Sequence, residues 1–259
     1  MITKAIILSA GKGSRLGALT THRPKCLLDL SGKKLLEWQL EALDHAGIRE
    51  IVVVSGFGDE LVQEVIRNLE LPRARVETLF NPFYHVADNL GSVWMARSHF
   101  DGDTLLLNGD TLVSPALVAR VLADAKAPIA VTIDRKPDYD ADDMKVMEVN
   151  GRLRRIGKKL QSQDCNAESI GLLAFQGDGP RAFADAVDRA LREEDGTARW
   201  YLSVIDQLAD TLPVHTVSIE GLAWTEVDYP ADFERARLLA EQGTFQRPDV
   251  MHPIHGAAR

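Results

Sequence analysis

The sequence predicts an α/β protein built on an open, mostly parallel sheet that carries an antiparallel insertion. Two observations point to the parallel part. Short aliphatic runs alternate with amphipathic stretches from residue 1 to about 135, and each run is followed by a segment of helical length, the order that crossover connections require. A third observation points to the insertion: past Asp134, two β-like runs in "MKVMEVNGRLRRIGK" meet at Asn150-Gly151, the dipeptide that most favours a two-residue hairpin.

The elements follow in order. "KAIILS" reads as the first strand and "KLLEWQLEALDHAG" as the first helix, where Leu36, Leu40 and Leu43 recur at helical spacing and Gly47 stands at the expected C-terminal cap. "EIVVVSG" and "DELVQEVIRNLE" repeat the unit. "VETLF", "GSVWMARSHF", "DTLLLNGD", "SPALVARVLADA" and "PIAVTID" extend it, with Ser114 and Pro115 as an N-cap and first-turn pair. "ESIGLLAF" is a further strand, helical patterns return at about 180 to 193 and 200 to 211, and "VHTVSI" and "AWTEV" are strands before a last helix from Tyr229 to Gln242. "FQRPDVMHPIHGAAR" has no periodicity and reads as a tail. Without repeats or a linker, a single domain over residues 1–242 with a tail at 243–259 is the expectation.

Composition narrows the function. The 259 residues are 45% hydrophobic and 26% charged, a globular balance, and the net charge of −8 argues against a surface that neutralises nucleic-acid phosphates. Cys26 and Cys165 stand far apart with no CxxC pattern, which argues against a disulfide scaffold and structural zinc and makes a reducing cytoplasm the plain reading. No apolar run approaches the ~18 residues of a membrane helix, and the N-terminal run is too short for a signal peptide.

Between the first strand and the first helix lies "LSAGKGSRLGALTTHRPKCLLDL", a glycine-rich loop with cations. Gly11 and Gly13 let backbone N–H groups approach an anion, and Arg15 and Lys25 supply charge-assisted hydrogen bonds. A dinucleotide fingerprint fails because its third glycine comes one place late and Thr20 to Pro24 make a poor helix. A Walker A loop fails because Ile6 stands where its first glycine belongs. A structural turn with solvated cations is the remaining alternative.

The longer stretch "LSAGKGSRLGALTTHRPKCLLDLSGKKLLEWQLEAL" resembles the opening signature of the nucleotidyltransferases that activate phosphorylated metabolites: an AGxGxRL loop, a spacer, then Pro-Lys before a short apolar strand. The resemblance implies a Rossmann-like (GT-A-like) fold in which residues 1–135 bind the nucleotide and 136–242 the acceptor. It implies that Leu8, Ala10, Gly11 and Gly13 line the nucleotide, that Arg15 holds the β and γ phosphates, and that Lys25 bridges phosphates in the transition state. Asp110 in "LLLNGDTLV" matches the family's Mg²⁺ aspartate, and "WTEVDYPADFERARLL" resembles the closing "EVDTPEDLERA" motif, whose aspartate, here Asp228, completes the metal site; Tyr229 replaces the usual Thr. Two carboxylates suit Mg²⁺, which takes one or two of them along with phosphate and water. Read alone, Asp228 is equally a helix N-terminal carboxylate.

"FNPFYHVADNLGSVWMARSHF" replaces the GTAGAL-like segment of sugar-phosphate members and looks like the cytidylyltransferases for phosphocholine, inositol 1-phosphate and aminoethylphosphonate. Asn81, Asp88, Asn89 and Ser92 become candidates for base or ribose contacts, with a polar loop as the alternative. "DMKVMEVNGRLRRIGKKL" resembles that subgroup's segment in which lysines approach the acceptor phosphate, here Lys145 and Lys158; solvated hairpin lysines are the alternative. Trp200, Tyr201 and Trp224, with Glu226, are candidates for the acceptor, the aromatic faces binding an ammonium group by cation–π attraction or else serving as core.

The reading is a cytoplasmic, Mg²⁺-dependent cytidylyltransferase that condenses CTP with a small phosphorylated or phosphonate acceptor and releases pyrophosphate, with no nucleic-acid or membrane partner and with homodimerisation left open. A sugar-1-phosphate nucleotidyltransferase using UTP, GTP or dTTP is the alternative within the class, and a noncatalytic nucleotide sensor the alternative outside it.

Overall fold

In chain order the computed structural model, which describes residues 1–246, contains β1 (Lys4–Leu8), β2 (Asp29–Leu30), β3 (Lys33–Lys34), α1 (Leu35–His45), β4 (Glu50–Ser55), α2 (Asp59–Asn68), β5 (Arg75–Phe80), α3 (Asn89–Met95), β6 (Thr104–Asn108), β7 (Thr111–Val113), α4 (Pro115–Asp124) and β8 (Ile129–Asp134). There follow β9 (Lys145–Val149), β10 (Arg152–Ile156), β11 (Ala167–Phe175), α5 (Gly179–Leu191), α6 (Tyr201–Leu208), β12 (Val214–Ser218), β13 (Trp224–Glu226) and α7 (Pro230–Glu241). Local chemistry explains several boundaries. The Ser114 hydroxyl accepts from the Leu117 N–H at 3.2 Å ahead of Pro115, Gly47 leaves α1 with φ of 94°, and Asn150 and Gly151 turn the β9–β10 hairpin with φ of 53° and 74°.

Nine strands form one sheet in the order β5-β4-β1-β6-β11-β8-β12-β10-β9. β5, β4, β1 and β6 run parallel, as do β8 and β12. The antiparallel geometry is not confined to the inserted hairpin: β11 lies at the centre of the sheet, antiparallel to both β6 and β8. The reason is that the chain between β8 and β11 is spent on the β9–β10 hairpin and carries no crossover helix, so it re-enters from the opposite end.

The core has two faces and an annex. On one face Ile6, Val52, Leu106, Val131 and Leu173 pack against α3, α5 and α6; on the other Ile7, Val53, Leu105 and Leu107 pack against α1 and α4. The annex joins Leu16 of the glycine loop, Leu30, Trp38, Leu112, Val227 and Ala236, and so ties the first loop to α7. Phe245, assigned by the sequence to the tail, is buried in this annex, while residues 247–259 of that tail lie outside the described residues. No helix among the described residues is long and apolar enough to cross a membrane.

Candidate active site

The carboxyl ends of β1 and β6 are neighbours in the sheet, and the loops that leave them open a cleft, the position where ligands bind in open α/β sheets. A cavity of about 340 Å³ occupies it, walled by Leu8 to Gly11 and Gly13 to Arg15 of the first loop, by Tyr84 to Ser92 segments on the second side, and by Asn108 to Asp110 beneath.

The first loop is held by its own sequence. Gly13 adopts φ of 76°, and a Cβ there would stand 2.8 Å from Lys25 Cβ, so glycine is needed both for conformation and for space. The Thr20 hydroxyl donates to the Gly13 carbonyl at 2.8 Å, and buried Leu16 anchors the intervening 3-10 turn in the annex. The short apolar strand expected after Pro24-Lys25 amounts only to Asp29–Leu30, because Lys25–Leu27 forms a 3-10 turn behind Pro24. That turn aims the Lys25 side chain back into the cleft.

Glu226 and Asp228 reach Asp110 through a small ladder. β13 pairs antiparallel with β7, placing Glu226 opposite Thr111, and the Val227 N–H donates to the Asp110 carbonyl at 3.0 Å. Carboxylate oxygens of Asp110, Glu226 and Asp228 consequently lie within 4.8 Å of one another. The Lys25 ammonium bridges two of them, at 2.8 Å from Asp110 Oδ2 and 2.7 Å from Asp228 Oδ1, and Arg15 Nη2 donates to Asp228 Oδ2 at 2.7 Å. Burial works to lower the Lys25 pKa, but the Asp110 and Asp228 carboxylates outweigh it and raise the pKa, so this lysine is charged throughout the neutral range. Glu226 is pushed up to about 8, first by loss of hydration within the cleft and then by Asp110 and Asp228, with Lys25 and Lys158 opposing. Glu226 itself is exposed, at the edge of the cluster rather than in the cavity lining.

The donor set fits a hard divalent cation. Three carboxylates converge, all ligand atoms are oxygen, and Asp110 Oδ1 is buried without a hydrogen-bond partner, a lone pair that a cation would satisfy.

The remaining candidates are distributed unevenly. Asp88, Asn89 and Ser92 line the cavity, whereas Asn81 lies behind it, fully buried, donating to Ser92 Oγ at 3.1 Å and accepting from the Phe83 N–H at 2.9 Å. Asn89 Oδ1 is engaged by the Tyr201 N–H at 2.9 Å. Tyr201, Trp200 and Trp224 do not form one aromatic face. The Tyr201 ring is buried against Phe183 and only its hydroxyl reaches the site, donating to Asn108 Oδ1 at 2.9 Å; Trp224 Nε1 is tied to Asp134 at 2.7 Å. Trp200 is exposed, and the Lys158 ammonium lies 4.8 Å from its ring centroid. Lys145 is buried and its ammonium donates to the Lys158 carbonyl at 3.1 Å, beneath the segment that presents Lys158.

The sequence reading missed four participants. Tyr84 walls the cavity, a position signalled only by an aromatic residue in a polar loop past a strand. Tyr229, noted as a departure from the family pattern, donates its hydroxyl to Asp142 at 2.8 Å, and Asp142 lies 3.9 Å from Arg15, so the segment before β9 reaches across to the arginine of the first loop. Gln39, hidden in an apolar helix face, donates its amide to the Asn108 and Thr111 carbonyls that flank Gly109-Asp110.

A glycine loop with two cations thus faces a carboxylate trio at the mouth of a mixed α/β sheet. The chain belongs to the MobA-like NTP transferase domain family, whose model matches residues 5–200. Among its relatives, the CMP-5'-(3-aminopropyl)phosphonate synthase of Streptomyces rubellomurinus is 32% identical over 98% of this chain, which spans only 41% of that longer protein. The CTP:phosphoglutamine cytidylyltransferase of Campylobacter jejuni is 29% identical over 89% of this chain and 97% of its own length. Among solved structures, the CTP:phosphocholine cytidylyltransferase of Streptococcus pneumoniae superposes with a TM-score of 0.75 at 20% identity, over 93% of this chain and all of that one, a likeness of fold.

Proposed function

We propose that this chain is a Mg²⁺-dependent cytidylyltransferase that transfers CMP from CTP to the phosphate or phosphonate of a small acceptor and releases pyrophosphate. The observation that carries the reading is the convergence of the glycine loop, Arg15, Lys25 and the Asp110–Glu226–Asp228 trio on one cleft. CTP as donor and a phosphate- or phosphonate-bearing acceptor are supported by two relatives of different length whose names carry cytidylyl chemistry on such groups.

In this reading the first loop takes the triphosphate against its backbone N–H groups, with Arg15 leaving Asp228 and Asp142 to hold the terminal phosphates. An acceptor oxygen attacks the α-phosphorus in line, the bond from the α-phosphorus to the bridging oxygen breaks, and that oxygen leaves on pyrophosphate. The acceptor is anionic at neutral pH, so no general base is needed, and the work of the chain is positioning and charge neutralisation. Asp110 and Asp228, with Glu226 beside them, would hold Mg²⁺, which would add positive charge against the reacting phosphates. Lys158, poised on Trp200, is the acceptor-side cation, and Lys145 supports it from below. Asp88 and Ser92 are the wall groups facing the base or ribose.

The test is pyrophosphate release with MgCl₂ across CTP, UTP, GTP, ATP and dTTP against phosphocholine, aminoethyl- and aminopropylphosphonate, phosphoglutamine, inositol 1-phosphate and hexose 1-phosphates. Turnover with CTP and one of the non-hexose acceptors is expected. Turnover only with a hexose 1-phosphate would overturn the acceptor assignment and the reading of the Asn81 to Ser92 segment.

A further inference from the structure

A glutamine in the centre of a buried helix face is an unusual choice, because a polar side chain without partners costs stability there. On α1, Leu35, Leu36, Trp38 and Leu40 are buried around Gln39, which is itself fully buried. Its amide does not satisfy α1 or a neighbouring helix. Nε2 donates to the Asn108 carbonyl at 2.8 Å and to the Thr111 carbonyl at 2.8 Å. These carbonyls belong to the last residue of β6 and the first of β7, on either side of Gly109-Asp110. One side chain thus staples both ends of the two-residue turn that carries Asp110.

The amide orientation is dictated by chemistry, since an oxygen facing two carbonyls would repel both. The cost falls on Oε1, which is buried without a hydrogen-bond partner. Leucine or methionine would fill the apolar face without that cost but would take this donor away from the Asn108 and Thr111 carbonyls. The other restraints on the turn act at different atoms. The Gly109 N–H donates to the Leu8 carbonyl at 3.0 Å, the Asp110 carbonyl accepts from Val227, and the Tyr201 hydroxyl reaches the Asn108 side chain at 2.9 Å. Among these contacts, Gln39 alone ties the peptide units on both sides of Asp110 to a single rigid helix.

We infer that Gln39 is a positioning residue for Asp110, holding the turn so that this carboxylate meets Asp228 and Glu226 at the spacing a divalent cation requires. The inference rests on the proposed role of Asp110 as a metal ligand. Residues that orient a metal ligand from behind are worth roughly 10–100-fold in metal affinity or activity.

The experiment titrates Mn²⁺, an oxygen-seeking stand-in for Mg²⁺, into the full chain with and without CTP, following free Mn²⁺ by electron paramagnetic resonance, and measures kcat and KM on the same samples. Gln39→Met is expected to bind Mn²⁺ roughly 10–100-fold more weakly and to lose kcat in proportion, with KM for the acceptor unchanged. Leu36→Met, which alters the same buried helix without touching the turn, is expected to bind Mn²⁺ as the wild type does. Should Gln39→Met fail to fold, Gln39→Glu keeps the shape of the side chain but sets a carboxyl oxygen where the amide Nε2 faces the Asn108 and Thr111 carbonyls, and is expected to weaken Mn²⁺ binding in the same direction; wild-type binding there overturns the inference. A folded Gln39→Met with wild-type Mn²⁺ affinity and kcat also overturns it, as does an equal loss in Leu36→Met. Asp110→Asn separates the two levels: wild-type Mn²⁺ binding in that variant, or no Mn²⁺ binding by the wild type in either titration, overturns the reading of Asp110 on which the inference depends.

Discussion

Replacing Lys25 with methionine removes the ammonium that bridges Asp110 and Asp228, and the consequence can be worked from the geometry. The Lys25, Asp110 and Asp228 side chains are 13%, 21% and 14% exposed, so both ion pairs are largely shielded from water. Removing one partner of such a pair costs roughly 3–5 kcal/mol, because the other charge is left uncompensated. Arg15 still reaches Asp228 Oδ2 at 2.7 Å, but Asp110 loses the Lys25 ammonium and faces the Asp228 carboxylate without it. At the 4.8 Å that bounds their separation, an effective dielectric of about 20 gives a repulsion of about 3.5 kcal/mol, the same order. For a domain of this size each kcal/mol shifts Tm by roughly 2–4 °C, so Lys25→Met is expected to melt about 6–20 °C below the wild type in metal-free buffer at pH 7. A divalent cation between the same carboxylates replaces the missing charge without competing against Lys25. MgCl₂ is therefore expected to raise the Tm of Lys25→Met by more than that of the wild type, while turnover stays at least about a hundredfold down, because the proposed function needs this cation against the phosphates. Differential scanning calorimetry with and without MgCl₂ measures both effects. A Tm within about 2 °C of wild type, or an equal Mg²⁺ response in the two proteins, would refute the claim that Lys25 stabilises the trio beyond what Arg15 supplies at Asp228.

The pH dependence of the metal-free protein follows from Glu226, pushed up to about 8 by lost hydration and by Asp110 and Asp228, and from Glu168, pushed up to about 7 by burial and by Asp143 against the pull of Lys136. Both carboxyls bind protons more tightly folded than unfolded, where their pKa is ~4.3, so stability falls as pH rises from about 4.3 through 8; thermal melts between pH 5 and 8.5 should show this, and Glu226→Gln should flatten the slope, an unchanged slope contradicting the assignment. Gly109→Ala would place a Cβ 2.4 Å from the Leu8 carbonyl oxygen, so it is expected to cost about 1–3 kcal/mol by chemical denaturation and to abolish turnover by displacing Asp110. Trp200→Ala frees Lys158 from its ring and is expected to raise KM for the acceptor several-fold with KM for the nucleotide unchanged; the opposite pattern in steady-state kinetics would move Lys158 to the nucleotide side.

What the sequence determined is what short-range physics determines. The α1 face is legible in Leu36, Leu40 and Leu43 because i, i+4 and i+7 share a helix side, and the β9–β10 hairpin is legible because Asn150-Gly151 tolerates two positive φ angles. The glycine loop was legible as a candidate anion site from its residue types, two glycines and two cations past a strand, and its placement on one edge with Asp110 and Asp228 was expected from resemblance to a family. Only the tertiary structure decided that β11 enters the centre of the sheet antiparallel, since nothing within "ESIGLLAF" encodes which strands it will meet. It decided also that Tyr201 is core with one hydroxyl at the site, that Asn81 braces Ser92 from behind the cavity, and that Lys158 already occupies the face of Trp200. Gln39 marks the same boundary most clearly. In the sequence it is one polar residue breaking an apolar helix face, and it becomes intelligible only when α1 docks beneath the β6–β7 turn, 69 and 72 residues further along the chain, where two carbonyls need its amide. Side-chain periodicity is written between neighbours in sequence, whereas hydrogen-bond partners at a site are chosen by where distant elements come to rest.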